Sequence, residues 1–164
     1  MPPSIISFES MLIGFTDAVG RVQEAARRGD SLRMYNGVFD ALNWAVALDD
    51  RVGKLWVPDG ETLGWRWRQR VGHGAEIMGG VRFARNSVHH QWSDAMRAAP
   101  GAMLPTKLPT VLERWVWCDP DELPEPDQAP QPDQERIYRE QMQGRPVRGC
   151  LDVLNGAFTP WAGC

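Results

Sequence analysis

Lysine is nearly absent from the chain, with Lys54 and Lys107 the only two. Positive charge is therefore carried by arginine, a skew that a GC-rich genome explains as readily as function does. Cysteine and histidine are scarce too. Cys118, Cys150 and Cys164 are an odd, widely spaced set without a CxxC pair, which argues against a disulfide framework or a thiolate zinc site. They read as free thiols of a reducing compartment. The three histidines are His73, His89 and His90. Adjacent His89 and His90 point to different sides of a helix, so no metal site is expected. No apolar run approaches the roughly 20 residues of a membrane-spanning helix. Met1-Pro2-Pro3-Ser4 opens without a basic stretch leading into an apolar one, so no signal peptide is expected. These absences together predict a cytoplasmic protein with no membrane segment, metal or cofactor.

Tryptophan, by contrast, is abundant, with eight residues in 164. That supplies large buried area, with some rings left for an interface or ligand surface. The net charge of −3 conceals an asymmetry. Residues 51–97 hold Arg51, Lys54, Arg66, Arg68, Arg70, Arg82, Arg85 and Arg97 against only Asp59, Glu61, Glu76 and Asp94. Residues 119–135 carry seven acids and no base. The middle of the chain can thus face a polyanion although the whole is slightly acidic.

Hydrophobic periodicity predicts a mainly α protein: a helical bundle with a small β element and a C-terminal helical appendage. Phe8, Met11, Leu12, Phe15, Val19, Val22 and Ala26 recur at helical spacing over residues 5–28. Gly29-Asp30 ends that helix, and Asp30 or Ser31 caps a second running to about residue 50. Its stripe is Tyr35, Val38, Phe39, Leu42, Ala45 and Val46. The short turn makes the pair an antiparallel hairpin. Lys54 to Val57 reads as a short strand closed by Pro58-Asp59-Gly60. A third strong helix is expected over 75–98 on Ile77, Val81, Ala84, Val88 and Ala95, where Gly79-Gly80 permits close packing or a bend. Val111 to Trp117 reads as a strand pairing near Leu55. Prolines 120, 124, 126, 130 and 132 mark an exposed acidic linker. A helix at about 133–143 follows. A last one opens at Pro146 with Val147, Cys150, Leu151, Leu154 and Phe158 on its apolar face. The expected units are residues 1–118, a linker at 119–134 and the appendage at 135–164.

The chemistry concentrates on the 75–98 helix. At 100° per residue, Arg82, Arg85, His89 and Trp92 form one stripe, and Asn86 with His90 a neighbouring one. Arginine grips phosphate with a planar, permanently charged fork, and histidine exchanges a proton near neutral pH. Such a set suits metal-free RNA cleavage, in which the ribose 2′-hydroxyl attacks the adjacent phosphate and arginine stabilises the developing charge. The same residues also suit a plain solvated helix face.

Arg85-Asn86-Ser87-Val88-His89-His90 resembles the signature of the HEPN superfamily: an arginine, commonly a polar follower, and a histidine after four to six residues. Four residues separate Arg85 from His90. The resemblance spans roughly residues 5–98, including the hairpin that precedes the motif. It implies a metal-independent endoribonuclease of toxin–antitoxin or other defence systems, a homodimer with two motifs in one cleft, and RNA as substrate. It implies Arg85 and His90 as catalytic and Asn86 as orienting or phosphate-binding. Other members of the superfamily are inactive and bind a partner, here an antitoxin or a defence-complex protein. Arg82 and His89 also satisfy the spacing, and Arg85 lies closer to His89 than to His90, which is about 140° away round a straight helix. His89 and His90 therefore stand as rivals.

Trp65-Arg66-Trp67-Arg68-Gln69-Arg70 alternates aromatic and polar, mostly basic, side chains. As a strand it puts tryptophans on one face and arginines on the other. Trp65, Arg66, Trp67, Arg68 and Arg70 are candidates for stacking bases and holding phosphates of RNA, together with Arg82. A half-buried edge strand with solvated arginines is the competing reading.

Overall fold

The computed structural model describes residues 6–56, 73–90, 95–99, 114–124 and 131–162. These are mainly helical, with one small antiparallel sheet. Trp65 to Arg70 lie outside the described residues.

Helix α1 spans Phe8–Arg28. Ser7 caps it by accepting the Ser10 N–H at 3.1 Å. Gly29, at φ 64°, stops it in the left-handed conformation that glycine adopts without strain. Helix α2 spans Ser31–Trp56, and Asp30 accepts the Arg33 N–H at its start. The two run antiparallel: Gly14 meets Trp44 near one end and Gly37 meets Val22 near the other. Phe15, Val19 and Val22 are buried in one cluster with Val38, Leu42 and Ala45, residues of the two stripes expected from periodicity.

Three expectations for the middle of the chain fail. Lys54 to Trp56 continue α2 and are not a strand. A four-residue apolar run is compatible with either period, and nothing before Pro58 stops a helix except Gly53, which costs only about 1 kcal/mol. The expected helix at 75–98 is also divided. Helix α3 is the single turn His73–Glu76, and α4 spans Met78–His90. Ala95 then takes φ 44°, and Met96–Ala99 form strand β1. Strand β1 pairs with β2, Arg114–Trp117, in the register Met96 to Trp117 and Ala99 to Arg114. The partner of β2 is therefore not the segment near Leu55. Met-Arg-Ala-Ala favours helix locally, and cross-strand pairing overrides that weak preference.

Asp119 caps a 3-10 turn at Pro120–Glu122. Helix α5 spans Pro132–Gln141 and α6 spans Val147–Phe158. Both contribute to the same core as the hairpin. Phe158 meets Phe15 edge-on at 5.8 Å. Tyr138, fully buried, packs on Phe83 at 4.8 Å and donates its hydroxyl to the Cys118 carbonyl at 2.9 Å. The turn after α5 is tied to β2, since Trp117 N–H donates to Arg145 O and Gly144 N–H to Trp117 O.

The Gly79-Gly80 pair lets α4 approach α5 closely. A Cβ on Gly80 would lie 2.8 Å from Met142 Sδ and 3.0 Å from Tyr138 Cα. Any larger residue would push the helices apart. This contact fixes one face of α4 and leaves the opposite side for α2.

Candidate functional site

Helix α4 places the motif so that its residues divide between core and surface. Val88 is buried, and Ser87 turns inward to donate its hydroxyl to the Phe83 carbonyl one turn back at 3.2 Å. Arg82, Arg85 and His89, spaced three and four residues apart, fall on one face and meet α2. The result is a series of contacts between antiparallel helices, each with different chemistry.

At the first contact, Arg82 Nη2 donates to Asp49 Oδ2 and Asp50 Oδ1, each at 2.6 Å. Burial alone would lower the pKa of this guanidinium, but its bonds to Asp50 and Asp49 outweigh that and hold it above the ordinary value. Its charge is fully matched by the two carboxylates.

At the second, Arg85 Nε donates to Asn43 Oδ1 at 3.2 Å, and its Nη1 donates to Asn86 Oδ1 at 3.4 Å. Both acceptors are neutral amides. Asn43 is itself fixed, because its Nδ2 donates to the Phe39 carbonyl at 2.8 Å. Among the described residues, Arg85 forms no ion pair, and the residue is half-buried. An arginine held this way keeps its full charge and several N–H donors for an incoming anion.

At the third, the His89 ring lies parallel to Phe39, with centroids 5.6 Å apart and planes 11° apart. Phe39 in turn approaches Tyr35 at 6.4 Å. Asn86 is exposed on the neighbouring stripe. His90 is the last residue of α4, and its side chain lies outside the described residues.

The structure thus brings Arg85, Asn86 and His89 together at the outer edge of the α2–α4 contact and commits Arg82 to an ion-pair cluster. Trp65, Arg66, Trp67, Arg68 and Arg70 lie outside the described residues. Sequence reasoning missed Asn43, Asp49 and Asp50, and assigned Phe39 only to the core stripe. Asn43 carries one legible sign, a polar residue between Leu42 and Trp44, one turn after Phe39. Its pairing with Arg85 depends on the register between α2 and α4, which no local pattern encodes.

Among the described residues, no three His, Cys, Asp or Glu side chains converge as metal ligands. None of the described helices is long and apolar enough to cross a membrane. No protein-family model, curated protein or solved structure matches the chain.

Proposed function

We propose that this chain is a HEPN-like, metal-independent endoribonuclease of a defence or toxin–antitoxin system. It acts in the cytoplasm as a homodimer, with RNA as substrate. One observation supports this reading above the others: Arg85 is held in place by neutral amides, while Arg82, one turn away, is neutralised by two carboxylates. A guanidinium both oriented and uncompensated is suited to a phosphodiester.

In the proposed reaction, histidine removes the proton of a ribose 2′-hydroxyl. The 2′-oxygen attacks the adjacent phosphorus, and the bond to the 5′-oxygen of the next nucleotide breaks. A 2′,3′-cyclic phosphate and a 5′-hydroxyl result, the leaving oxygen taking a proton from an imidazolium of the site, so that the proton removed from the 2′-hydroxyl is balanced. Arg85 stabilises the charge on the phosphoryl oxygens, and Asn86 orients the guanidinium or the phosphate. His89 shares the face of Arg85. His90 stands as its rival for the role of base.

A second reading is a non-catalytic partner-binding protein, such as one that holds an antitoxin or a defence-complex subunit. It is favoured by the Phe39–His89 stacking, which covers one face of the imidazole as packing would. Incubating purified protein with RNA in the presence of a chelator separates the two. The nuclease reading predicts cleavage by the wild type, and at least 100-fold slower cleavage by Arg85→Ala and by one of His89→Ala or His90→Ala, a loss of the size seen when a general acid–base or charge-stabilising group is removed. An inert wild type, or cleavage unaffected by all three substitutions, contradicts it.

A further inference from the structure

Arg85 keeps its charge because of what α2 places opposite it. Asn43 stands where a carboxylate would produce a second ion pair like that between Asp49 and Arg82. Its amide cannot be reversed without placing an NH2 group against the guanidinium and its oxygen against the Phe39 carbonyl, so the Arg85 and Phe39 contacts define one orientation. The Phe39 backbone thereby aims the Asn43 oxygen, and the Asn43 oxygen aims Arg85. With Nε occupied by Asn43 and one Nη1 hydrogen by Asn86, no other described residue hydrogen-bonds the outer edge of the fork, which is the edge proposed for a ligand.

We propose that Asn43 is a positioning residue of the RNA site. It fixes the Arg85 guanidinium through Nε with a neutral acceptor, so that the fork is pre-oriented yet retains a whole positive charge for an RNA phosphate. The proposal rests on the nuclease reading of the same site. It assigns to α2 a share in a motif otherwise confined to α4. It also makes the register between α2 and α4 part of the site, because that contact brings residue 43 opposite residue 85.

The test measures binding of a fluorescein-labelled, mixed-sequence single-stranded RNA by wild type, Asn43→Asp, Asn43→Ala and Arg85→Ala over a range of salt concentrations. Thermal melts of each variant are recorded alongside. Asn43→Asp neutralises Arg85 and is expected to weaken binding about tenfold, the loss of roughly one charge-assisted contact. The slope of log affinity against log salt should flatten by about 0.7, one phosphate contact on a single strand, as in Arg85→Ala. Asn43→Ala leaves the charge but frees the side chain. Its affinity should fall about threefold, the cost of ordering one side chain, with the slope unchanged. A merely structural Asn43 would move the melting temperature without this split in slopes. Wild-type affinity in Asn43→Ala, or a wild-type slope in folded Asn43→Asp, overturns the assignment of Asn43 alone. Absence of RNA binding by the wild type overturns the nuclease reading and this assignment with it. Asn43→Ala decides the matter if Asn43→Asp does not fold.

Discussion

Helix α4 presents two different faces to its neighbours. Toward α5 it offers Gly79, Gly80 and Phe83, which meet Ile137, Tyr138 and Met142 at close range. Toward α2 it offers Arg82, Arg85 and His89, which meet Asp49, Asp50, Asn43 and Phe39. The first face is specified by shape: there is no room for a Cβ at Gly80. The second is specified by charge and hydrogen bonding, and it remains partly open to solvent. Within the second face the contrast repeats on a smaller scale, since among the described residues Arg82 is paired with carboxylates and Arg85 is not. A helix can thus be fixed on one side and leave a cationic edge available on the other.

Substitutions on the two faces should separate stability from RNA chemistry. Gly80→Val is expected to have the largest structural effect, because its side chain would meet Met142 Sδ and the Tyr138 backbone. Overpacking of this kind costs about 3 kcal/mol, read as a lowered midpoint in urea unfolding. A wild-type midpoint would mean that α4 and α5 are not in tight contact. Arg82→Ala should cost less, about 1 kcal/mol, because Arg82 and Asp50 are partly exposed and only Asp49 is more buried. A double-mutant cycle of Asp49→Asn with Arg82→Ala would measure how much of that loss belongs to this pair. Tyr138→Phe removes the donor to the Cys118 carbonyl and should also cost about 1 kcal/mol without affecting RNA binding.

The smallest effect expected is on pH dependence, and it belongs to the shape-specified side. Burial raises the Cys150 thiol above its ordinary pKa, partly offset by Trp117 and Arg145. Burial also raises Tyr138, with nearby Cys118 and Cys150 adding to it. A raised folded pKa means that the native state holds the proton more tightly than the unfolded chain does. Stability is therefore full below the unfolded thiol's value of about 8.5 and declines as pH rises above it. Urea midpoints from pH 7 to 10 should fall in the wild type and fall less in Cys150→Ala. A rising midpoint over that range would contradict the burial of these groups.

The hairpin was legible because Phe15, Val19 and Val22 repeat at helical period and Gly29-Asp30 supplies both a stop and a cap. The close approach at Gly79-Gly80 was legible for a similar reason, since adjacent glycines in an otherwise helical pattern invite tight packing. Met96–Ala99 was not, because helix-favouring residues became a strand through pairing with residues about 18 positions away in sequence. Lys54 to Trp56 were misread because a short apolar run has no period of its own. At the candidate site, the stripe of Arg82, Arg85 and His89 could be drawn from helical geometry alone. The difference between its two arginines could not, since it lies in Asn43, Asp49 and Asp50 on another helix. Register between helices arises from packing of both surfaces, and the motif contains only one of them.

The proposed nuclease requires that Arg85, and not Arg82, be the cation available to RNA. It is tested most directly by measuring Arg82→Ala and Arg85→Ala side by side, each for thermal stability and for single-stranded RNA binding and cleavage in chelator. The account predicts that Arg82→Ala lowers the melting temperature and, below that temperature, binds and cleaves RNA within about threefold of wild type, as expected when no phosphate contact is lost. It predicts that Arg85→Ala melts near the wild-type temperature and loses at least about tenfold in binding and 100-fold in cleavage. Equal losses from both substitutions, or a larger RNA defect in a folded Arg82→Ala, would contradict it.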